Sequence, residues 1–295
     1  MEKLNLIDCD RKMLESYFED MGEKSFRAHQ LLKWIYQHGL TDINLMTNFS
    51  NNLRTYLSKN ALIRLPEIIS EKESEDGTKK WLIKVDEINS IETVFIPETD
   101  RGTLCISTQV GCALDCKFCS TAKQGFNRNL KTSEIIGQVL LANKILGHFK
   151  NNKRIITNIV FMGMGEPLLN YDNVLKTINL LTDDNAFGLS KRRVTVSTSG
   201  IIPGIDRLKI DNKVSLAISL HACNDELRDN IVPINRSYPL VDLLNACKRY
   251  TEEKGDEPVT IEYVMLKDIN DSLQDAYSLV KCLHDIPSKV NLIPF

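Results

Sequence analysis

The chain has 295 residues, of which 42% are hydrophobic and 26% charged, with a formal net charge of −2. That is enough apolar chain for one large or two modest packed domains, and a balance so near neutrality excludes a uniformly basic nucleic-acid-coating surface. No stretch has the apolar length to span a bilayer, and residues 1–10 lack the basic and apolar regions of a signal peptide, so a cytoplasmic protein with reduced thiols is expected.

In chain order, residues 1–65 read as a helical module. Leu14, Tyr17 and Phe18, then Leu31, Trp34 and Ile35, fall at three- and four-residue spacing, with Ser25 or Arg27 opening the second helix after Gly22. A further helix is predicted over Phe49 to Ile63 with Ser50 as its cap. The basic residues Lys24, Arg27, Lys33, Arg54 and Lys59 read either as a solvated face or as a local RNA patch. From Pro66 to about residue 98, short β-branched and aromatic runs (Ile68, Trp81 to Val85, Ile91 to Ile96) predict a small antiparallel extension in which Glu92 faces outward.

From residue 99 to 295 strands alternate with helices. Strands are predicted at Leu104 to Val110, Ile155 to Met162, Arg193 to Ser197, Val214 to Leu220, Val259 to Leu266 and Val290 to Pro294. Helices are predicted at Thr132 to Leu146, Tyr171 to Leu181, before Val214, at Leu240 to Tyr250 and at Ser272 to Leu283. This is an α/β pattern, a partial six-fold (β/α) TIM-like barrel whose site belongs at the C-terminal ends of its strands.

The chemistry-bearing words follow those strands. Cys112, Cys116 and Cys119 lie within eight residues, a spacing that wraps one metal centre and would strain a disulfide. After the second strand comes Phe161-Met162-Gly163-Met164-Gly165-Glu166-Pro167, whose glycines let a ligand approach the backbone and whose carboxylate suits an ammonium group. Ser197 ends the third strand and Ser219-Leu220-His221 the fourth. On residues alone a zinc ion completed by His221, in a metal-stabilised RNA-binding module without catalysis, stays open.

The Cys-x3-Cys-x2-Cys loop after the first strand resembles the radical SAM superfamily, in which three thiolates hold a 4Fe-4S cluster and S-adenosyl-L-methionine (SAM) chelates the fourth iron. Gly111 to Thr121, Gly125 to Leu130, Gly163 to Pro167, Leu189 to Thr195 and Ile218 to His221 together resemble the RlmN family of RNA methyltransferases. Pro167 and the Ala113-Leu114 pair are closer to that family than to the related Cfr family, which methylates adenine C8.

The resemblance implies methylation of adenine C2 in 23S rRNA and tRNA, through a methyl-cysteine intermediate and a transient disulfide. It assigns Cys112, Cys116 and Cys119 to the cluster, and Gly165, Glu166, Ser197, Ser219, Leu220 and His221 to SAM. Cys105 becomes the resolving thiol and Glu92 the proton acceptor. It further implies a flavodoxin-like electron donor and a monomer that meets no membrane. Alternation places Cys105 with Thr103 and Ser107, on a face expected to line the barrel. Lys191-Arg192-Arg193 is a candidate phosphate contact, and Cys9, Cys223, Cys247 and Cys282 read as packing residues. The methyl-carrying cysteine of the family has no counterpart up to Phe295, so a chain truncated at its C-terminus, lacking that thiol and unable to complete methylation, is expected.

Overall fold

A computed structural model describes residues 3–151, 154–253 and 255–295. The helical module opens with a short strand, β1 (Leu4–Asn5), and helix α1 (Arg11–Asp20). Asp10 caps α1 by accepting from the Met13 backbone N–H, and Leu14 and Phe18 on its inner stripe are buried. Helix α2 (Phe26–Leu32) runs into a wider turn over Lys33–Gln37. Ser50 caps α3 (Asn51–Asn60) as predicted, through a 3.2 Å bond from Leu53 N–H, but the helix stops early because Ala61 and Leu62 form β2, paired in parallel with β1.

The extension consists of β3 (Glu67–Glu73), β4 (Lys79–Lys84) and β5 (Ser90–Pro97), antiparallel in sequence order. Strand β6 (Gly102–Cys105) continues that antiparallel order against β5, with Val94 opposite Cys105. The strand predicted over Leu104 to Val110 is therefore two. Thr108 and Gln109 both donate their N–H groups to the Met164 carbonyl, and Asn170 Nδ2 donates to Thr108 O, so a loop satisfies this backbone where a neighbouring strand was expected. Strand β7 (Gln109–Gly111) then pairs with β8 (Phe126–Asn129) as a hairpin around the cysteine loop.

The alternating part follows with α4 (Thr132–Ile145), the single turn α5 (His148–Asn151), β9 (Asn158–Phe161) and α6 (Tyr171–Thr182). It continues with β10 (Val194–Thr198), α7 (Ile202–Asn212), β11 (Ser215–Ser219), α8 (Asp225–Ile231), α9 (Leu240–Tyr250), β12 (Val259–Met265), α10 (Leu273–Leu283) and β13 (Ser288–Pro294). All six predicted strand regions contain strands, and the chain is mixed α/β.

The chain divides into two compact units. One comprises Met1–Ser107, Leu130–Ile159 and Asp172–Ser190; the other comprises Thr108–Asn129, Val160–Tyr171 and Lys191–Phe295. The first has its core in the helical module around Leu6, Phe18, Leu32, Tyr36 and Phe49. In the second, β10, β11, β12 and β13 pair in parallel, and Val196, Ile218 and Ile261 are fully buried with Leu208 and Leu243 of α7 and α9. Among the described residues no helix is long and apolar enough to cross a membrane.

Candidate active site

The cysteine loop is built from its glycines outward. Gly111 has φ +72°, and a Cβ there would overlap the Gly125 carbonyl, which accepts from Cys112 N–H at 3.1 Å. Only glycine allows this close turn. Below the turn, Leu114 and Cys116 pack on Ala222, Ile231 and Val232, and Lys117 N–H donates to Ile231 O at 3.1 Å. The three thiols lie near enough for each charge to act on the next. Burial first, and then that mutual repulsion and Glu166, push Cys112 up to about 11 and Cys116 up to about 12, so both are neutral until a cation binds.

A cavity of about 280 Å³ opens beside these thiols, lined among others by Gly165, Glu166, Ser197, Ser219 and His221. Gly165, at φ +98°, brings the loop after β9 against Gln109, whose Oε1 accepts from Glu166 N–H at 2.9 Å. Glu166 is 3% exposed. Its carboxylate accepts from Leu168 N–H at 3.1 Å and Ser199 N–H at 2.9 Å, and Thr198 adds its hydroxyl. Burial outweighs these bonds and raises it to about 7. All three donors are neutral, and among the described residues no cation pairs with the carboxylate.

His221 sits at φ +60°, an unusual conformation for a non-glycine residue, held by Asn270 Nδ2 donating to its carbonyl at 2.8 Å. Its Nδ1 accepts from Val264 N–H at 3.0 Å, burial lowers it to about 3, and its ring stands edge-on to Phe118 at 4.6 Å. The ring is therefore neutral with its proton on Nε2, and it has no lone pair left for a metal. That removes the zinc site completed by His221. Leu220 lies outside the cavity lining. Its side chain is buried, its N–H donates to Glu262 O at 3.0 Å, and its carbonyl accepts from Arg228 and Ala222.

Four neighbours were given no role in the sequence, although Ser199 stands in the rim run Ser197-Thr198-Ser199-Gly200. Ser199 donates its hydroxyl to Cys116 and its N–H to Glu166, tying cluster loop to carboxylate. Gln109, Glu262 and Arg228 also belong here, Glu262 with its carboxyl raised by burial and bonded by Asn291 Nδ2 at 2.7 Å. Serine and glutamate at strand ends are too common to signal this, and the contacts depend on pairing between strands far apart in sequence.

The remaining two predicted residues lie in the other unit. Val94 opposes Cys105, so alternation puts Glu92 on the same face as Cys105, as its diagonal neighbour across β5 and β6. Leu104 and Ile106 on the opposite face are fully buried while Cys105 is half-buried. Glu92 is exposed and pairs with Lys80 at 2.8 Å. Buried Gln138 pins this corner: its Oε1 accepts from Thr93 Oγ1 at 2.7 Å and Ser107 N–H at 2.8 Å, and Ser107 Oγ donates to Glu92 O at 2.6 Å. Of the four cysteines read as packing, Cys9 and Cys247 are buried, but Cys223 and Cys282 are half-buried and hydrogen-bond each other. Arg192 of the basic triplet pairs with Glu257 at 2.9 Å.

Residues 106–280 match the radical SAM superfamily, and residues 4–63 match the ribosomal RNA large subunit methyltransferase N-terminal domain. A solved radical SAM methyltransferase from Sphaerobacter thermophilus is 39% identical, over 98% of this chain and 84% of that one, with a TM-score of 0.89. The chain belongs to the radical SAM superfamily, as an RlmN-type methyltransferase. A radical SAM protein binds a 4Fe-4S cluster and SAM, and the site fits both: three thiols share one loop, and a buried carboxylate with no cation partner among the described residues faces the cavity beside them.

Proposed function

We propose that this RlmN-type methyltransferase methylates C2 of adenosine in 23S rRNA and in tRNA. The observation that carries the reading is the N-terminal match over residues 4–63, which puts a ribosomal-RNA methyltransferase module on the same chain as the cysteine loop. Adenine C2 is an electron-poor amidine carbon that cannot attack a sulfonium methyl group, so a polar displacement fails there. The cluster and SAM supply a methyl group and one-electron activation of an unreactive C–H bond, with the electron coming from a flavodoxin-like donor.

The protein's own groups then have defined tasks. Cys112, Cys116 and Cys119 ligate the cluster. Glu166 Oε atoms hold the SAM ammonium, and the hydroxyls of Ser197 and Ser219 meet its ribose. His221, neutral and wedged against Phe118, shapes the wall and keeps water from it. Glu92 takes the proton released from adenine C2, and the Cys105 thiol resolves the protein–RNA thioether through a transient disulfide with the methyl-carrying cysteine, a thiol for which residues 1–295 hold no counterpart and which the complete reaction requires. Their shared face on β5 and β6 supports this pairing of base and thiol. The adenine must leave its stack to be reached. Exposed Lys24, Lys33 and Lys59 on the helical module are available to phosphate, whereas Arg27 and Arg54 are engaged internally with Glu23 and Asn44.

The test is nucleoside mass spectrometry of 23S rRNA and tRNA from the host with the encoding gene deleted. Loss of 2-methyladenosine is expected. Unchanged 2-methyladenosine, or loss of 8-methyladenosine in its place, overturns the assignment.

A further inference from the structure

Helix α8 carries Arg228, a fully buried guanidinium with 0% exposure. Its Nη2 donates to Ser199 O at 2.7 Å and Ser219 O at 3.1 Å, its Nε to Leu220 O at 3.1 Å, and its Nη1 to Asn235 Oδ1 at 2.8 Å. These acceptors include the carbonyls at the ends of β10 and β11, two of the strands whose residues line the cavity. All four acceptors are neutral. Among the described residues no carboxylate pairs with Arg228 directly: Asp225 and Asp229 reach it only through Asn235 Nδ2, at 2.8 and 2.7 Å.

Burying an ion with no carboxylate bonded directly to it is costly, by several kcal/mol, and Asp225 and Asp229 offset part of that cost from beyond Asn235. Burial lowers the guanidinium to about 10, which leaves it positive at neutral pH. The far end of the same short helix supports the cysteine loop, through Ile231 O accepting from Lys117 N–H and through Ile231 packing with Cys116. The charge that Cys116 carries once it is ionised as a ligand acts on the guanidinium.

We propose that Arg228 is a positioning residue with two effects. Its fork fixes the turns after β10 and β11 in the arrangement that SAM binding uses, and its positive charge, with no carboxylate bonded directly to it, raises the reduction potential of the cluster held by Cys116. A cluster gains negative charge on reduction, and a fixed cation in a low-dielectric surrounding favours that state. The proposal is independent of which RNA atom is methylated.

The experiment uses the full chain reconstituted anaerobically with iron and sulfide, followed by an EPR-monitored redox titration and by equilibrium SAM binding. In Arg228→Lys the charge stays and the fork is lost, so the potential is expected at the wild-type value while SAM affinity falls at least tenfold. In Arg228→Gln the potential is expected to become more negative as well. Asp229→Asn removes a half-buried carboxylate that stands one hydrogen bond beyond Asn235, and it is expected to make the potential less negative. A wild-type potential in Arg228→Gln, or in Asp229→Asn where the glutamine variant does not take up a cluster, overturns the electrostatic role. Wild-type SAM affinity in Arg228→Lys overturns the positioning role.

Discussion

Glu166 gives a prediction whose size follows from its burial. The folded chain holds its proton up to about pH 7, against an ordinary value of 4.5. The folded state therefore binds more protons than the unfolded state between those limits. The sign follows: this contribution to stability is complete below about 4.5 and is lost as pH rises through about 7. The interval corresponds to about 3 kcal/mol, of which about 2 to 3 kcal/mol falls between pH 5 and pH 8. Urea unfolding of the apo protein at both pH values measures it, with Glu166→Gln as the reference that cannot titrate. The glutamine must turn its NH2 toward either Leu168 N–H or Ser199 N–H, at a cost of about 1 to 3 kcal/mol, so absolute stability changes little at pH 8. The pH dependence is the signature. An identical pH dependence in wild type and Glu166→Gln would refute a buried, protonated carboxylate. SAM binding should show the opposite slope, weakening about tenfold per pH unit below 7, because the ligand's ammonium needs the ionised form. The variant loses that acid limb and binds roughly 10- to 150-fold more weakly.

Other expectations follow from neighbouring groups. Gly165→Ala adds a Cβ 2.5 Å from Gln109 Cβ at φ +98° and should lower stability by about 3 kcal/mol in thermal unfolding and abolish SAM binding. Ser199→Ala removes the hydroxyl bonded to Cys116 and should shift the cluster potential negative with iron content unchanged; an unaltered potential contradicts that bond. Cys105→Ala and Glu92→Gln should retain cluster and SAM binding while the methyladenosine content of complemented cells falls to that of the deletion strain.

The alternation of strands and helices was legible because its signals are local, apolar runs in the strands with helical segments between them, and the cap at Ser50 was legible for the same reason. The cysteine loop was legible because its ligands come from one short segment. The break in the first predicted strand was not, since it depends on Met164 accepting from Thr108 and Gln109 more than fifty residues away. Glu92 and Cys105 gave no local sign of standing side by side, because strand register is set by pairing. Arg228 reads in the sequence as one more charge on a polar helix, and only the fold shows it buried against the carbonyls of Ser199 and Ser219.

The most direct test of the site as a whole is the metal it assembles and its response to SAM. Anaerobic reconstitution should give four irons and four sulfides per chain, lost on Cys112→Ala, Cys116→Ala or Cys119→Ala, and SAM should change the EPR spectrum of the reduced cluster. Bound zinc without iron and sulfide, or a reduced-cluster spectrum indifferent to SAM, would contradict the account.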